Sequence, residues 1–193
     1  MNLQHYNITL LIILIIALYG LFNLLFIKIT KAGFKLFQIP SIFSVILGIV
    51  YLINTYCWNW WLINPLLVNV PDISGTYNGV VNIRHLDNKT KEIPPVKVVI
   101  KQTGTNLDFD LYSKKGSHST NIVSELVKQN GLWYLYIIYK NENTKNPENR
   151  NRYEGVSKFE IHNEKDTINL VGQFYTDETH KAYGTIKLKR TSK

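Results

Sequence analysis

The spacing of apolar residues divides the chain into two parts. Residues 8–27 and 39–63 form two apolar runs that contain no charged side chain. After Pro71 the apolar residues alternate with polar ones, which is the period of a β-strand with one buried face. The pattern therefore predicts a membrane region over residues 1–71 and a β-domain over residues 72–193.

The first run, 8–27, predicts a transmembrane helix. Its 20 residues rise about 30 Å as an α-helix, which is the thickness of the hydrocarbon core. A cleavable signal peptide has a basic N-terminal region, a shorter core and a small-residue cleavage site. No Lys or Arg precedes this run and no such cleavage site follows it, so a retained helix is favoured.

The second run, 39–63, predicts a second transmembrane helix. Pro40 suits a first helical turn, because the amide donor that proline lacks has no partner there. Trp58, Trp60 and Trp61 lie near the end of the run, and aromatic side chains favour the membrane–water boundary. Only 11 residues connect the two runs, so the helices are expected to form a hairpin.

Four polar side chains fall within these apolar runs and are candidates for transmembrane association. They are Asn23, Asn54, Thr55 and Asn59. Such groups form hydrogen bonds between helices, either within one hairpin or between hairpins of different chains. The sequence leaves both interpretations open.

Eight segments of the β-domain alternate with period two, and no helical pattern of useful length lies between them. The segments are 75–84, 95–103, 106–113, 118–128, 132–139, 152–161, 167–176 and 182–190. They predict an all-β, eight-stranded up-and-down antiparallel barrel of the lipocalin-like kind, with a two-sheet sandwich as the alternative. The connections alternate between tight and long, which favours a barrel with a closed base and a loop-rich mouth.

Side chains near the predicted mouth are candidates for ligand binding, because tyrosine can stack on a planar base and still donate a hydrogen bond. Tyrosine is also common in strands for packing reasons alone, but five tyrosines cluster at this end. The candidates are Arg84, Tyr112, Thr120, Tyr139, Tyr153, Ser157, Tyr175, Thr176 and Tyr183.

The distribution of charge is more informative than its total. The 193 residues carry a formal net charge of +8, and their mean hydropathy of −0.09 resembles that of a soluble protein. Residues 1–71 carry +3 from Lys28, Lys31 and Lys35 without any acidic residue, whereas the β-domain carries +5. The averages therefore describe neither part, and the charge of the β-domain suits an anionic ligand.

No catalytic or metal-binding motif stands out. The sequence lacks a phosphate-binding loop, a zinc-protease motif and a nucleophile elbow. A single cysteine, Cys57, excludes an intramolecular disulfide and a cysteine-based zinc site. His85, His118, His162 and His180 are scattered without the spacing of metal ligands. The sequence therefore indicates no enzyme, no metal and no cofactor.

Two motifs and the order of the two parts carry a resemblance to a known family. The segment PDISGTYNGVV resembles the Gly-x-aromatic strand that opens lipocalin-like barrels, with Tyr77 where Trp is commoner. The segment GQFYTDETHKAYGTIKLKR carries a second motif through Tyr175, Thr176, Asp177, Gly184, Ile186, Leu188 and Arg190. With a membrane hairpin before the barrel, the whole chain resembles the membrane-anchored β-barrel effectors of CBASS, the bacterial antiphage system built on cyclic-oligonucleotide signals.

This resemblance implies a function. In that family a nucleotidyltransferase activated by infection makes a cyclic nucleotide, and the barrel of the effector binds it. The effector then oligomerises through its helices and disrupts the inner membrane, so that the infected cell dies. The implied partners are a cyclic di- or oligonucleotide, the lipid bilayer and further copies of the chain, but no DNA or RNA polymer.

The implied location is the bacterial inner membrane, with a multi-pass anchor and the barrel in the cytoplasm. This orientation places the loop Lys28–Lys35 outside, against the positive-inside rule. Two alternatives remain from the residues alone. One is a membrane-tethered lipocalin-like carrier or sensor of an apolar ligand, and the other is an adaptor that docks a protein on the outer wall of the barrel.

Overall fold

A computed structural model describes residues 6–31, 42–85, 90–114, 116–143, 152–164, 167–177 and 181–192. The chain forms two compact units. The first comprises residues 1–70 together with the turn 103–106, and the second comprises 71–102 and 107–193. Along the chain, the two units meet between residues 70 and 71.

The first unit begins with a long apolar helix, α1 (Ile8–Lys31). Asn7 caps it, since its side-chain oxygen accepts a hydrogen bond from the amide of Leu10 at 3.2 Å. The apolar stretch Ile8–Ile29 has 22 residues and rises about 33 Å, which is enough to cross a bilayer. Among the described residues it is the one helix that is long and apolar enough to do so.

The second helical segment is shorter than the sequence pattern predicts. Helix α2 (Ile42–Leu52) continues into a π-helical turn, Ile53–Cys57. A non-helical turn follows, and a second π-helical turn covers Asn64–Val68. The apolar stretch Phe43–Cys57 rises only about 22 Å, less than the roughly 30 Å of the hydrocarbon core. A second membrane crossing by residues 39–63 therefore stays a prediction, and residues 39–41 lie outside the described residues.

The second unit is a closed barrel of eight antiparallel strands in sequence order. The strands are β1 (Gly75–His85), β2 (Thr90–Gln102), β3 (Leu107–Ser113), β4 (Ser117–Gln129), β5 (Leu132–Asn143), β6 (Tyr153–Glu164), β7 (Thr167–Thr176) and β8 (Ala182–Ser192). Each strand pairs with the next, and β1 pairs with β8 to close the barrel. The up-and-down barrel is confirmed, and the two-sheet sandwich is excluded.

Alternation builds the core in the way that the sequence predicts. Tyr77, Val98 and Ile100 point inward and are buried, as are Leu135 on β5 and Leu170 on β7. The tight connection between β4 and β5 consists of Asn130 and Gly131, which both adopt positive φ angles. Asn-Gly favours this backbone, which matches the twist of a two-residue hairpin.

The base of the barrel is filled by the segment that leads into β1. Ile73 is fully buried there. Its amide donates to the side-chain oxygen of Gln102 at 2.9 Å, and its carbonyl accepts from the Tyr77 hydroxyl at 2.7 Å. These bonds satisfy both buried backbone groups of Ile73. A closed base stays a prediction.

Candidate functional site

A small cavity lies inside the barrel towards the end with the longer connections. Its volume is about 60 Å³. Apolar and aromatic side chains form most of its wall, with four polar ones among them. The lining residues are Phe109, Leu111, Ser119, Tyr139, Tyr153, Ser157, Phe159, Phe174 and Ile186.

The polar part of this interior centres on Asn141, which is buried at the mouth end of β5. Its amide nitrogen donates to the Ser119 hydroxyl at 2.6 Å and to the Ser117 hydroxyl at 2.7 Å. The Ser117 hydroxyl donates back to the amide oxygen at 3.0 Å. Buried amides and hydroxyls are costly to leave unpaired, so this cluster fixes the wall between β4 and β5.

Two tyrosines of the cavity are held in their neutral form. Burial raises the pKa of Tyr139 above its usual range, and Tyr153 and Asp177 nearby raise it further. Burial also raises the pKa of Tyr153, with a smaller contribution from Asp177. Tyr139 packs over Gly155 on β6, where a Cβ would overlap its hydroxyl. Both phenols therefore remain hydrogen-bonding groups at neutral pH.

The size of the cavity limits what it can hold. About 60 Å³ is the volume of about two water molecules, whereas sites for small organic ligands measure roughly 300–1,000 Å³. An acyl chain does not fit in this cavity. A cyclic dinucleotide does not fit either.

The nine predicted ligand-binding residues fall into three places. Tyr139, Tyr153 and Ser157 line the cavity. Thr176 braces the connection between β7 and β8, because its hydroxyl bonds to both the amide and the carbonyl of Ala182, at 2.8 and 3.0 Å. The remaining five residues, Arg84, Tyr112, Thr120, Tyr175 and Tyr183, are on the outer wall.

Three of these outer residues come together. Arg84, Tyr183 and Tyr175 are consecutive neighbours across β1, β8 and β7. They line one cleft of about 480 Å³, which we call the outer-wall cleft. Its other lining residues are Asn82, Gln173, Gly184 and Thr185. Tyr112 lies elsewhere on the outer wall, where its ring stacks on His118 at a centroid distance of 4.6 Å.

Thr120 lies on the outer wall because of a β-bulge. The register between β4 and β5 shifts between Asn121 and Val123. Ser119 and Leu126 are both buried although their positions differ by seven, and uninterrupted alternation would place them on opposite faces. The bulge therefore inverts the alternation along β4. Ser119 therefore points into the barrel, where uninterrupted alternation placed Thr120.

Sequence reasoning missed the buried pair Ser119 and Asn141 and four members of the outer-wall cleft, which are Asn82, Gln173, Gly184 and Thr185. Asn141 follows the apolar positions Leu135, Ile137 and Tyr139 at intervals of two, and this continued alternation is a signal that could have found it. Ser119 left no comparable signal, since the bulge hides its direction. Gln173 and Thr185 become neighbours only through the pairing of β7 with β8.

Of the four residues proposed for transmembrane association, Asn54 forms hydrogen bonds within the first unit. The Asn54 side-chain oxygen accepts a hydrogen bond from the Tyr6 hydroxyl at 2.8 Å. Its backbone carbonyl accepts from the amide of Gly104 at 2.9 Å. Asn23 and Thr55 are half-buried and Asn59 is exposed. A role of these residues between chains stays a prediction.

No group of His, Cys, Asp and Glu within the described ranges could hold a metal ion. The closest arrangement of this kind is a pair, in which His118 lies 3.0 Å from an Asp110 oxygen. Two side chains of this type are too few for a structural or catalytic zinc site.

Comparison with known proteins identifies the barrel. A search of curated proteins finds no match to this chain. The sequence profile of the Cap15 cyclic dinucleotide receptor domain matches residues 68–190, which are nearly all of the barrel unit and more than half of the chain. The resemblance to CBASS membrane effectors is therefore confirmed, and the chain belongs to the family of the Cap15 cyclic dinucleotide receptor domain.

Proposed function

We propose that this chain is a membrane-disrupting effector of antiphage defence that is switched on by a cyclic nucleotide. The observation that carries the proposal is the match of residues 68–190 to a cyclic dinucleotide receptor domain, in a chain that also contains an apolar stretch of 22 residues, Ile8–Ile29. A receptor tied to a membrane helix can convert a soluble signal into an event in the bilayer.

The charge of the barrel supports the choice of ligand. Residues 72–193 carry a formal charge of +5. A cyclic dinucleotide carries two phosphates, so a positive surface attracts it and raises its association rate at low salt. An apolar ligand gains no attraction from this charge. The cavity of about 60 Å³ is also smaller than sites for small organic ligands.

Binding acts on the membrane part by shifting an equilibrium between dispersed and associated chains. A ligand shifts such an equilibrium only by the difference between its affinities for the two states. A change from about 1% to about 99% associated chain requires a difference of about 10⁴-fold. In the associated state, polar side chains such as Asn23 stabilise contacts between helices, and the assembled helices disrupt the bilayer.

The proposed location is the bacterial inner membrane with the barrel in the cytoplasm, where the cyclic nucleotide is made. This orientation places Lys28 and Lys31, in the last turn of α1, on the outer side against the positive-inside rule. A folded C-terminal domain that stays in the cytoplasm can determine the orientation despite the three lysines of the loop. A reporter fused to the C-terminus is expected to be active in the cytoplasm, and activity only in the periplasm would contradict this orientation.

Ligand binding tests the function directly. The full-length chain in detergent is titrated with 3′–5′-linked cyclic dinucleotides that cover every pairing of the four RNA bases. We expect at least one to bind and to raise the melting temperature of the barrel, because a ligand that binds only the folded state stabilises it. A free ligand concentration of 100 times Kd raises the free energy of unfolding by about 2.7 kcal/mol. Stabilisation by fatty acids and by none of the dinucleotides would instead favour the apolar carrier.

A further inference from the structure

We infer that the cyclic nucleotide binds in the outer-wall cleft on β1, β8 and β7, rather than in the cavity of about 60 Å³ described inside the barrel. This inference rests on the proposed function, since it names the site at which that ligand is held. The first argument is size. The described cavity inside the barrel, about 60 Å³, lies far below the volumes of sites for small organic ligands. The cleft of about 480 Å³ lies within their range, as do two other grooves of about 480 and 570 Å³, so the chemistry of the cleft distinguishes it from them.

The second argument is chemical composition. A cyclic dinucleotide presents anionic phosphates, flat bases and base edges that donate and accept hydrogen bonds. The cleft offers one group for each of these, which are the Arg84 guanidinium, the Tyr175 and Tyr183 rings, and the Asn82 and Gln173 amides. Arg binds phosphate through paired donors, and tyrosine faces stack on any base.

The third argument is electrostatic. No carboxylate lines the cleft, and no described residue forms an ion pair with Arg84. Arg84 is also exposed, so its guanidinium is available to an incoming phosphate. The neighbouring groove farther from the mouth has Lys158 and Lys187 but also Glu160 in its wall, which makes it the less favourable site for an anion.

The fourth argument is rigidity. The cleft residues stand in two rows, each of which crosses the same three hydrogen-bonded strands. Arg84, Tyr183 and Tyr175 form the row nearer the mouth, as β1–β8 and β8–β7 neighbours. Asn82, Thr185 and Gln173 form the next row. Neighbouring strands lie about 4.8 Å apart, so the backbone fixes the spacing of these groups before the ligand arrives, and less order is lost on binding.

One contact within the cleft already orients a base-reading group. The Tyr175 hydroxyl lies 3.4 Å from the side-chain oxygen of Gln173. This contact uses the amide oxygen of Gln173, so the amide nitrogen is the group of Gln173 that can donate to a ligand. Both tyrosines are exposed on the wall, so their faces are available for stacking.

The test compares binding to variants of the full-length chain in detergent, with the same set of cyclic dinucleotides as probe. Arg84→Gln removes the phosphate contact and Tyr175→Ala removes a stacking face. Each is expected to raise Kd by about 10- to 100-fold, the usual effect of losing such a contact. Arg84→Lys keeps the charge but loses the paired donors, and is expected to recover only part of the affinity.

Two controls separate this site from the alternatives. Lys97→Gln removes the same charge from an exposed position on β2 and is expected to leave Kd within about twofold, since a distant surface charge is screened. Ser157→Val fills the interior cavity and is likewise expected to leave Kd unchanged, while its melting temperature reports whether the barrel still folds.

Each outcome decides a different question. Undiminished binding by Arg84→Gln and Tyr175→Ala overturns the outer-wall site, as does a loss of binding confined to a folded Ser157→Val variant. In either case the proposed function stands, because the unmodified chain binds the probe. If the unmodified chain binds none of the cyclic dinucleotides, the proposed function fails and this site with it.

Discussion

Replacement of Ile16 in α1 by arginine is expected to abolish membrane disruption. Ile16 lies near the middle of the apolar stretch Ile8–Ile29 and is 64% exposed, so its side chain faces lipid if α1 crosses the bilayer. An arginine at the centre of a transmembrane helix makes the free energy of insertion about 3–4 kcal/mol less favourable than isoleucine does. This lowers the equilibrium constant for insertion by more than about a hundredfold.

Two measurements follow this effect. The amount of chain that resists alkaline extraction from membranes reports insertion, and the membrane potential of cells that also express a cyclic-nucleotide synthase reports disruption. We expect both to fall to the background of cells without the chain. Binding of the cyclic nucleotide in detergent is expected to persist, because the barrel is a separate compact unit.

The same substitution at the helix end provides the matched control. Ile29 lies between Lys28 and Lys31 in the last turn of α1, and an arginine there can extend its charged group to the interface. Ile29→Arg is therefore expected to insert and to depolarise cells. Full depolarisation by Ile16→Arg would show that α1 does not act as a lipid-facing transmembrane helix.

Replacement of Leu170 by alanine is expected to cost the barrel about 3–5 kcal/mol of its free energy of unfolding. Leu170 is 0% exposed and points into the core between Ile161 on β6 and Leu188 on β8. The truncation removes buried methyl groups and leaves a cavity that closed strands cannot fill by collapsing. Denaturant unfolding of the full-length chain in detergent, followed by tryptophan and tyrosine absorbance, measures the loss.

Leu132 offers the same substitution at an exposed site. It lies at the start of β5 and is 43% exposed, so Leu132→Ala is expected to change the free energy of unfolding by less than about 1 kcal/mol. A similar loss in the two variants would contradict the assignment of an inward face to residues 168, 170 and 172 of β7.

Most of the barrel could be predicted from the sequence because its strands follow a simple rule. Alternation with period two marks the inward residues of β1, β3 and β8, and Asn130-Gly131 marks one tight turn. The second helix was harder. Its apolar run reaches residue 63, but the helix ends in a π-helical turn at Cys57. Composition alone does not indicate where the backbone hydrogen bonds of a helix end.

The candidate site could be predicted less well. Arg84, Tyr175 and Tyr183 were found as candidates because they end their strands at the same side of the barrel. Their assembly into one cleft depends on the register of β1 with β8 and of β8 with β7. The strands β7 and β8 are consecutive, but β1 and β8 lie about 100 residues apart, and no local feature of the chain encodes the register between them.

The sequence by itself determined the division into an apolar helical part and a basic β-domain, the number and direction of the strands, and the resemblance to CBASS effectors. These follow from hydrophobic period, charge and turn residues, which are local properties. Only the tertiary structure decided which face of the wall carries Thr120, because a bulge at Asn121–Val123 inverts the alternation along β4. The tertiary structure also decided the volumes of the cavity described inside the barrel, about 60 Å³, and of the outer-wall cleft, about 480 Å³, since each depends on how side chains from several strands pack together.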